Sequence, residues 1–174
     1  MNPVFTIGHS TRMFDEFVSL LQKVDVRTVV DVRSAPTSRK HPQFDGYALS
    51  EELSGYQMRY LHLEALGGHR PKSKTALPAT NAFWNNQSFH NYADYAMTDS
   101  FRAGLDALIE LSQKSLTAIM CSEAVWWRCH RRIITDYLLS RGIRVQHILS
   151  PKSVQDAQFT PAARPCGDVL SYPV

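Results

Sequence analysis

The sequence predicts an α/β protein, a single three-layer domain in which a mostly parallel sheet of about five strands is flanked by helices. Short apolar runs rich in β-branched residues alternate with stretches whose apolar residues repeat at helical spacing. This alternation implies parallel strands joined by crossover helices. We assign residues 1–150 to the domain. Residues 151–174 are rich in proline and show no clear period, and we predict an irregular C-terminal tail there.

The N-terminal half is predicted to contain three strands and two helices. The strands are residues 4–7, 26–32 and 59–63, and the helices are residues 14–21 and 47–56. Gly8 closes the first apolar run. The second run, VRTVVDV, is typical of a buried strand. The pair Gly67 and Gly68 follows the third strand and indicates a turn or a close approach of the backbone.

The C-terminal half is predicted to contain two more strands and the longest amphipathic helix. The strands are residues 116–120 and 145–149, the helices are residues 100–112 and 128–140, and a further helix begins or ends near residues 92–97. Gly142 is typical of the residue that follows a helix. Residues 69–87 are polar and rich in Pro, Lys, Thr and Asn, so we predict a loop there that could form a lid.

The composition indicates a globular protein of the cytoplasm. Hydrophobic residues make up 44% of the chain, which is ordinary for such proteins. Three cysteines do not make a disulfide framework, so a reducing compartment is expected. The start, MNPVFTIGHS, has no basic region before a long apolar core, and no apolar run approaches the roughly 20 residues of a membrane span. We therefore expect no secretory signal and no membrane partner.

The densest chemistry lies between Leu116 and Arg132, in the segment LTAIMCSEAVWWRCHRR. A predicted strand ends at Cys121, and a loop then leads to Cys129 at the start of a helix. Amide groups at a helix N-terminus and nearby arginines lower the pKa of a thiol. Ligands of parallel sheets bind beyond the carboxyl ends of the strands, where this segment turns.

Five residues are candidates for catalysis. Cys121 is one candidate nucleophile, and Cys129 is the rival nucleophile or the resolving thiol of a redox pair. His9, Glu123 and His130 are the candidates for proton transfer. The alternative for the two cysteines is a structural role at the end of a strand and at the start of a surface helix.

Five further residues are candidates for binding an anionic substrate. They are Asp31, Arg33, Gly67, Gly68 and Arg131. Arginine forms paired hydrogen bonds with carboxylates and phosphates. The alternatives are a structural ion pair of Arg131 with Glu123 or Asp31, and a buried Asp31 bound to backbone amides.

No cofactor is firmly implied by these residues. A zinc or iron ion bound by Cys121, Cys129 and His130, with His9 or Glu123, is the alternative to a free thiol. Structural zinc sites usually place paired ligands roughly two to four residues apart. Here seven residues separate the two cysteines, so the spacing does not favour a metal.

Four motifs resemble the domain-of-unknown-function 488 family, DUF488. They are TIGHS, DVRSAPTSR, YLHLEALGG and CSEAVWWRCHR, followed by the final strand VQHIL. They spread over residues 5–150, and Ser122 stands where the family usually has alanine. The resemblance implies a fold and a candidate site at the cysteines, and no settled activity. VVDVR is also similar to a strand of rhodanese-like domains, although the loop after Cys121 is longer than their active-site loop.

These observations predict an enzyme that uses a cysteine thiolate at the rim of the sheet on an anionic small molecule or nucleotide. The alternative is a module that binds nucleic acid or a nucleotide and has structural or metal-binding cysteines. Its basis is the basic residues 128–132 beside two tryptophans and the basic loop 70–74. The net charge of +3 is too small to indicate nucleic acid by itself.

Overall fold

The central sheet has six strands, and the first five in the chain run parallel to one another. A computed structural model describes residues 1–174. The strands are β1 (Val4–Gly8), β2 (Thr28–Asp31), β3 (Arg59–His62), β4 (Thr117–Cys121), β5 (Val145–Ser150) and β6 (Ser153–Asp156). Their order across the sheet is β3-β2-β4-β1-β5-β6, and only β6 is antiparallel to its neighbour. The predicted α/β fold is confirmed, with β6 added to the five expected strands.

Five helices cover the two faces of this sheet and complete three layers. They are α1 (Phe14–Lys23), α2 (Gly46–Ser54), α3 (Gln87–Tyr95), α4 (Asp99–Lys114) and α5 (Arg131–Ser140). Successive residues of a strand point to opposite faces. Val30 therefore joins the core under α3, α4 and α5, whereas Val29 joins the core under α1 and α2. None of the helices is long and apolar enough to cross a membrane.

The helix α5 begins later than the sequence predicted. Residues Trp126–Arg128 form a short 3₁₀ turn, and Cys129 then has an extended backbone (φ −136°, ψ 153°). The helix proper starts at Arg131, and its apolar residues pack into the core. Cys129 therefore lies immediately before the helix, where unpaired amide groups of the first turn are available to it.

The segment after residue 150 is not the irregular tail that we predicted. It contains β6 and a hairpin of two strands, β7 (Arg164–Cys166) and β8 (Val169–Ser171). Leu170 and Tyr172 are buried in the core, and the Tyr172 hydroxyl donates a hydrogen bond of 2.9 Å to Asp136. These strands are only three or four residues long, so they are too short to show a period.

The predicted loop 69–87 is fixed to the domain near its middle. Residues Pro78–Asn81 form a 3₁₀ turn, and Asn81 and Trp84 are buried. The Asn81 amide donates to Asp94 at 2.7 Å and accepts from the Tyr172 backbone N–H at 3.0 Å. This part of the loop is therefore held between α3 and the C-terminal segment, and a lid could include only its remaining residues.

Candidate functional site

A cleft of about 920 Å³ lies beyond the carboxyl ends of β1, β2 and β4. Parallel sheets place their ligand sites at this edge. The cleft is lined by ends of these strands, by the loop of residues 33–41, by residues 121–124 after β4 and by the segment before α5. All five predicted catalytic residues line it. They are His9, Cys121, Glu123, Cys129 and His130.

The two cysteines meet at the floor of the cleft. Their sulfur atoms are 2.8 Å apart, and no disulfide joins them. Cys121 is the last residue of β4, and Cys129 comes back to it from the start of α5. The residues are 2% and 5% exposed, so each thiol is sheltered but borders the cleft.

Three groups besides Cys121 point at the Cys129 sulfur. The backbone N–H of Arg131 donates to it at 3.3 Å, and the Arg131 Nε donates at 3.4 Å. The His130 Nδ1 lies 3.5 Å away. The His130 Nε2 donates at 2.6 Å to the Val32 carbonyl, which can only accept, so in the neutral ring Nδ1 is the acceptor that faces the Cys129 sulfur.

These contacts set the pKa values of the two thiols in opposite directions. Burial alone would raise the pKa of Cys129, but the hydrogen bond from Cys121 and the charges of His130 and Arg131 outweigh it and hold that pKa well below its ordinary value. Burial raises the pKa of Cys121 well above its ordinary value, and its bond to Cys129 adds to the rise. These shifts, and the N–H groups of Arg131 around Cys129, favour Cys129 as the thiolate of the pair and Cys121 as the thiol.

Glycines allow this geometry at two positions of close backbone approach. A Cβ on Gly8 would lie 1.7 Å from the Glu123 carbonyl oxygen, and a Cβ on Gly68 would lie 2.6 Å from the His130 Nδ1. The same Glu123 carbonyl accepts from the Arg131 Nη2 at 2.6 Å. Gly68 borders the cleft, whereas Gly67 packs against Ser34 and is not part of its lining.

Arg131 lies behind the cysteines and away from the cleft. Its side chain is 1% exposed, and its Nη1 donates to the Thr6 hydroxyl at 3.3 Å. Its side chain meets the Glu123 backbone carbonyl and no carboxylate, which differs from both alternatives that the sequence left open. Arg131 is thus placed to stabilise a thiolate and does not face a ligand.

Asp31 and Arg33 form a second cluster with His9 and Tyr60. The Arg33 Nη2 and Nε donate to Asp31 at 2.7 and 2.9 Å, and the Tyr60 hydroxyl donates to the same carboxylate at 2.5 Å. Burial and the bond to Asp31 raise the pKa of Tyr60. Asp31 is fully buried and is not part of the cleft lining, so it holds Arg33 at the cleft wall.

His9 presents an unprotonated ring nitrogen to this cluster. Its Nδ1 donates to the Ser10 carbonyl at 2.9 Å, and its Nε2 faces the Arg33 Nη1 at 3.5 Å. Burial lowers the pKa of His9 to about 4. The imidazole is therefore neutral at pH 7, and its Nε2 is the acceptor that faces the Arg33 guanidinium.

Sequence reasoning did not identify the polar layer behind Arg131. The Thr6 hydroxyl contacts the His147 Nδ1 at 2.7 Å, and the His147 ring stacks on Trp126 with centroids 4.3 Å apart. Thr6 and His147 are partners in the register of β1 and β5. The available signal was Thr6 within the apolar strand VFTIG and His147 next to the apolar residues of VQHILS.

The three arginines of the segment 128–132 lie in different surroundings. Arg128 is exposed and lines the cleft, whereas Arg131 is buried. The Arg132 guanidinium lies over Trp84 at 5.0 Å, and its Nε donates to the Thr160 hydroxyl. They do not form one basic surface, and binding of nucleic acid stays a prediction from sequence. No group of three or more His, Cys, Asp or Glu residues is arranged to hold a metal ion.

A family model described as domain of unknown function DUF488 matches residues 13–138. The chain belongs to the DUF488 family. The match covers the strands β2 to β4, both cysteines of the cleft and most of α5. Comparison with curated proteins and with solved structures gives no match. The similarity to rhodanese-like domains therefore has no support from the comparisons.

Proposed function

We propose that this DUF488 protein is an enzyme that uses the Cys129 thiolate as a nucleophile on an anionic small molecule. One observation carries the proposal: Cys121, His130 and two N–H groups of Arg131 converge on the Cys129 sulfur at the floor of a cleft. Activated cysteine nucleophiles have this combination of a neighbouring imidazole, cationic groups and a helix N-terminus.

The remaining polar groups suit the other roles of such a reaction. His130 takes the proton of the Cys129 thiol through Nδ1 and can return it to a leaving group. His9 offers a second imidazole at the cleft wall, which is neutral at pH 7 and presents its Nε2 as a hydrogen-bond acceptor. The Glu123 side chain is exposed at the cleft and forms no ion pair, so it too can exchange a proton with substrate.

The charge of the cleft favours an anion. Arg39, Lys40 and Arg128 are exposed, line the cleft and form no ion pair. Glu123 is the one carboxylate in the lining. Exposed cations at the rim of a cleft raise the local concentration of an anionic substrate.

Alkylation tests the nucleophile directly. The protein is treated with iodoacetamide at several pH values, and peptide mapping follows each cysteine separately, with exposed Cys166 as the internal reference. We expect Cys129 to react faster than Cys166 at pH 7 and to keep its rate at lower pH. A Cys129 that reacts no faster than Cys166 would overturn the proposal.

A charged reagent tests the anion preference. Iodoacetate carries a negative charge that iodoacetamide lacks. The ratio of the iodoacetate rate to the iodoacetamide rate should therefore be higher at Cys129 than at Cys166 at low salt. Arg128→Gln should reduce this preference. The matched control is Arg59→Gln, because Arg59 is exposed at the first residue of β3, at the other edge of the sheet. Equal preferences at Cys129 and Cys166 would contradict an anion-binding cleft.

A further inference from the structure

The cleft contains a second thiol that nucleophilic catalysis alone does not require. A thiolate can be stabilised by a hydroxyl or an amide, yet here the shortest polar contact of the Cys129 sulfur is with the Cys121 sulfur. The two sulfurs lie 2.8 Å apart and differ in proton affinity. A dithiol with one activated and one protonated sulfur is the arrangement that thiol–disulfide exchange uses.

We infer that Cys121 and Cys129 form a dithiol–disulfide couple that reduces small anionic disulfides bound in the cleft. This inference rests on the proposed function, because it uses the Cys129 thiolate as the attacking group. It adds the substrate class and a role for Cys121 as the resolving thiol.

The backbone already places the two side chains for bond formation. A disulfide bond is about 2.05 Å long, so the sulfurs need to approach by less than about 1 Å. Cys129 lies in an extended segment between the 3₁₀ turn and α5, and rotation about its Cα–Cβ bond moves the sulfur without moving the backbone. The third cysteine, Cys166, is exposed in β7 and is not part of the cleft lining.

The reaction balances in two steps. The Cys129 thiolate attacks one sulfur of the substrate disulfide, a mixed disulfide forms, and the first substrate thiolate leaves and takes the proton held by His130. The Cys121 sulfur then attacks Cys129, the mixed disulfide breaks, and the second substrate thiol leaves with the proton of Cys121. The substrate disulfide gains two electrons and becomes two thiols, and the protein becomes a disulfide. A small-molecule thiol in excess returns it to the dithiol.

The cleft argues for a disulfide of substantial size with negative charge. Its volume of about 920 Å³ is in the range of pockets that hold drug-sized ligands. A hydroperoxide would need far less room. The exposed cations Arg39, Lys40 and Arg128 line the same cleft as the thiols and would pair with carboxylates of the substrate.

Glutathione disulfide is the probe for the test, because it is small and carries carboxylates. The reduced full-length protein in a Cys166→Ser background is exposed to defined mixtures of glutathione and its disulfide, quenched with acid and mapped by mass spectrometry. We expect a crosslinked peptide that contains Cys121 and Cys129. In Cys121→Ser we expect the reaction to stop at one glutathione adduct on Cys129, and in Cys129→Ser we expect neither product.

Two comparisons make the result decisive. Bis(2-hydroxyethyl) disulfide is uncharged, so it should oxidise the pair more slowly than glutathione disulfide at low salt, and salt should remove the difference. Faster oxidation by hydrogen peroxide than by glutathione disulfide, or no preference between the two disulfides, would overturn the substrate class. Absence of the Cys121–Cys129 crosslink in protein whose Cys129 is rapidly alkylated would overturn the couple and leave the proposed nucleophile standing. Slow alkylation and no crosslink would overturn both.

Discussion

Two buried arginines lie near the carboxyl edge of the sheet, and their partners differ in charge. Arg33 is neutralised by Asp31, whose carboxylate also accepts from Tyr60. Arg131 meets a sulfur, a hydroxyl and a backbone carbonyl, and no carboxylate. A buried cation needs a counter-charge. Since a thiolate is the one anion within reach of Arg131, the fold stabilises charge on Cys129, whereas the cluster at Arg33 is already balanced.

The comparison separates a reactive cluster from a structural one. The thiol cluster (Cys121, Cys129, His130 and Arg131) changes its charge when a proton or electrons move. The arginine–aspartate cluster (His9, Asp31, Arg33 and Tyr60) is closed by its own hydrogen bonds and shapes the cleft wall. Disruption of the first should therefore alter reactivity, and disruption of the second should alter stability.

The largest expected effect is on stability, from Asp31→Asn. The change leaves the buried Arg33 charge without its counter-ion, which typically costs about 3 kcal/mol or more of unfolding free energy. Urea denaturation measures the loss. The control is Asp156→Asn, which removes the exposed pair with Arg144 and should cost about 1 kcal/mol or less. Equal losses in the two variants would mean that the Asp31 pair is not a structural centre.

His9 belongs to the arginine–aspartate cluster and His147 lies behind the thiol cluster, and both neutral histidines should destabilise the fold in acid. Burial lowers the pKa of His9 to about 4 and that of His147 to about 3. The unfolded chain takes up these protons near pH 6.5, so stability falls as the pH drops below about 6.5 toward the folded values. Each histidine should lower the free energy of unfolding by about 2 kcal/mol at pH 5 relative to pH 7.

Urea denaturation at pH 7 and pH 5 measures this dependence. In His147→Asn, the free energy of unfolding should drop less between pH 7 and pH 5 than it does in the parent protein. Gln146→Ala is the control, because the neighbouring side chain does not titrate. If the free energy of unfolding drops between pH 7 and pH 5 by the same amount in His147→Asn as in the parent protein, His147 binds its proton equally in the folded and unfolded states.

A smaller effect, on reactivity, is expected from Arg131→Gln. The variant loses the guanidinium that donates to the Cys129 sulfur, so the pKa of Cys129 should rise and its alkylation at pH 7 should slow by about tenfold. The neighbouring Arg132→Gln is the matched control, since Arg132 contacts Thr160 and Trp84 instead of the thiols. Similar slowing in both variants would contradict the special position of Arg131.

The smallest effect should come from Gly68→Ala. The new methyl group would lie 2.6 Å from the His130 Nδ1, so the ring must turn away from Cys129 and alkylation should slow by a few-fold. Gly55→Ala is the control, because a Cβ there would meet only the Glu52 carbonyl at 3.4 Å. Unchanged kinetics in Gly68→Ala would mean that the orientation of His130 does not limit the reactivity of the thiol.

The order of strands and helices along the chain and the position of the candidate site could be predicted from local sequence patterns. Apolar runs and helical periods are local patterns, so all five parallel strands could be predicted to within a few residues. The same patterns place Cys121 at a strand end and Cys129 before a helix. Local patterns do not predict the short strands after residue 150 or the turn at Asn81, because so few residues show no repeating spacing of apolar side chains.

Which side chains meet in the cleft depends on how distant segments pack. The contact of Cys121 with Cys129 depends on how the loop between them folds back, and the spacing of the two residues does not specify it. Arg131 reaches Thr6 of β1, Asp31 accepts from Tyr60 of β3, and the register of β1 with β5 brings Thr6 to His147. Charge and proton affinity in the cleft follow from these contacts. They therefore depend on packing between distant segments, which local sequence patterns do not encode.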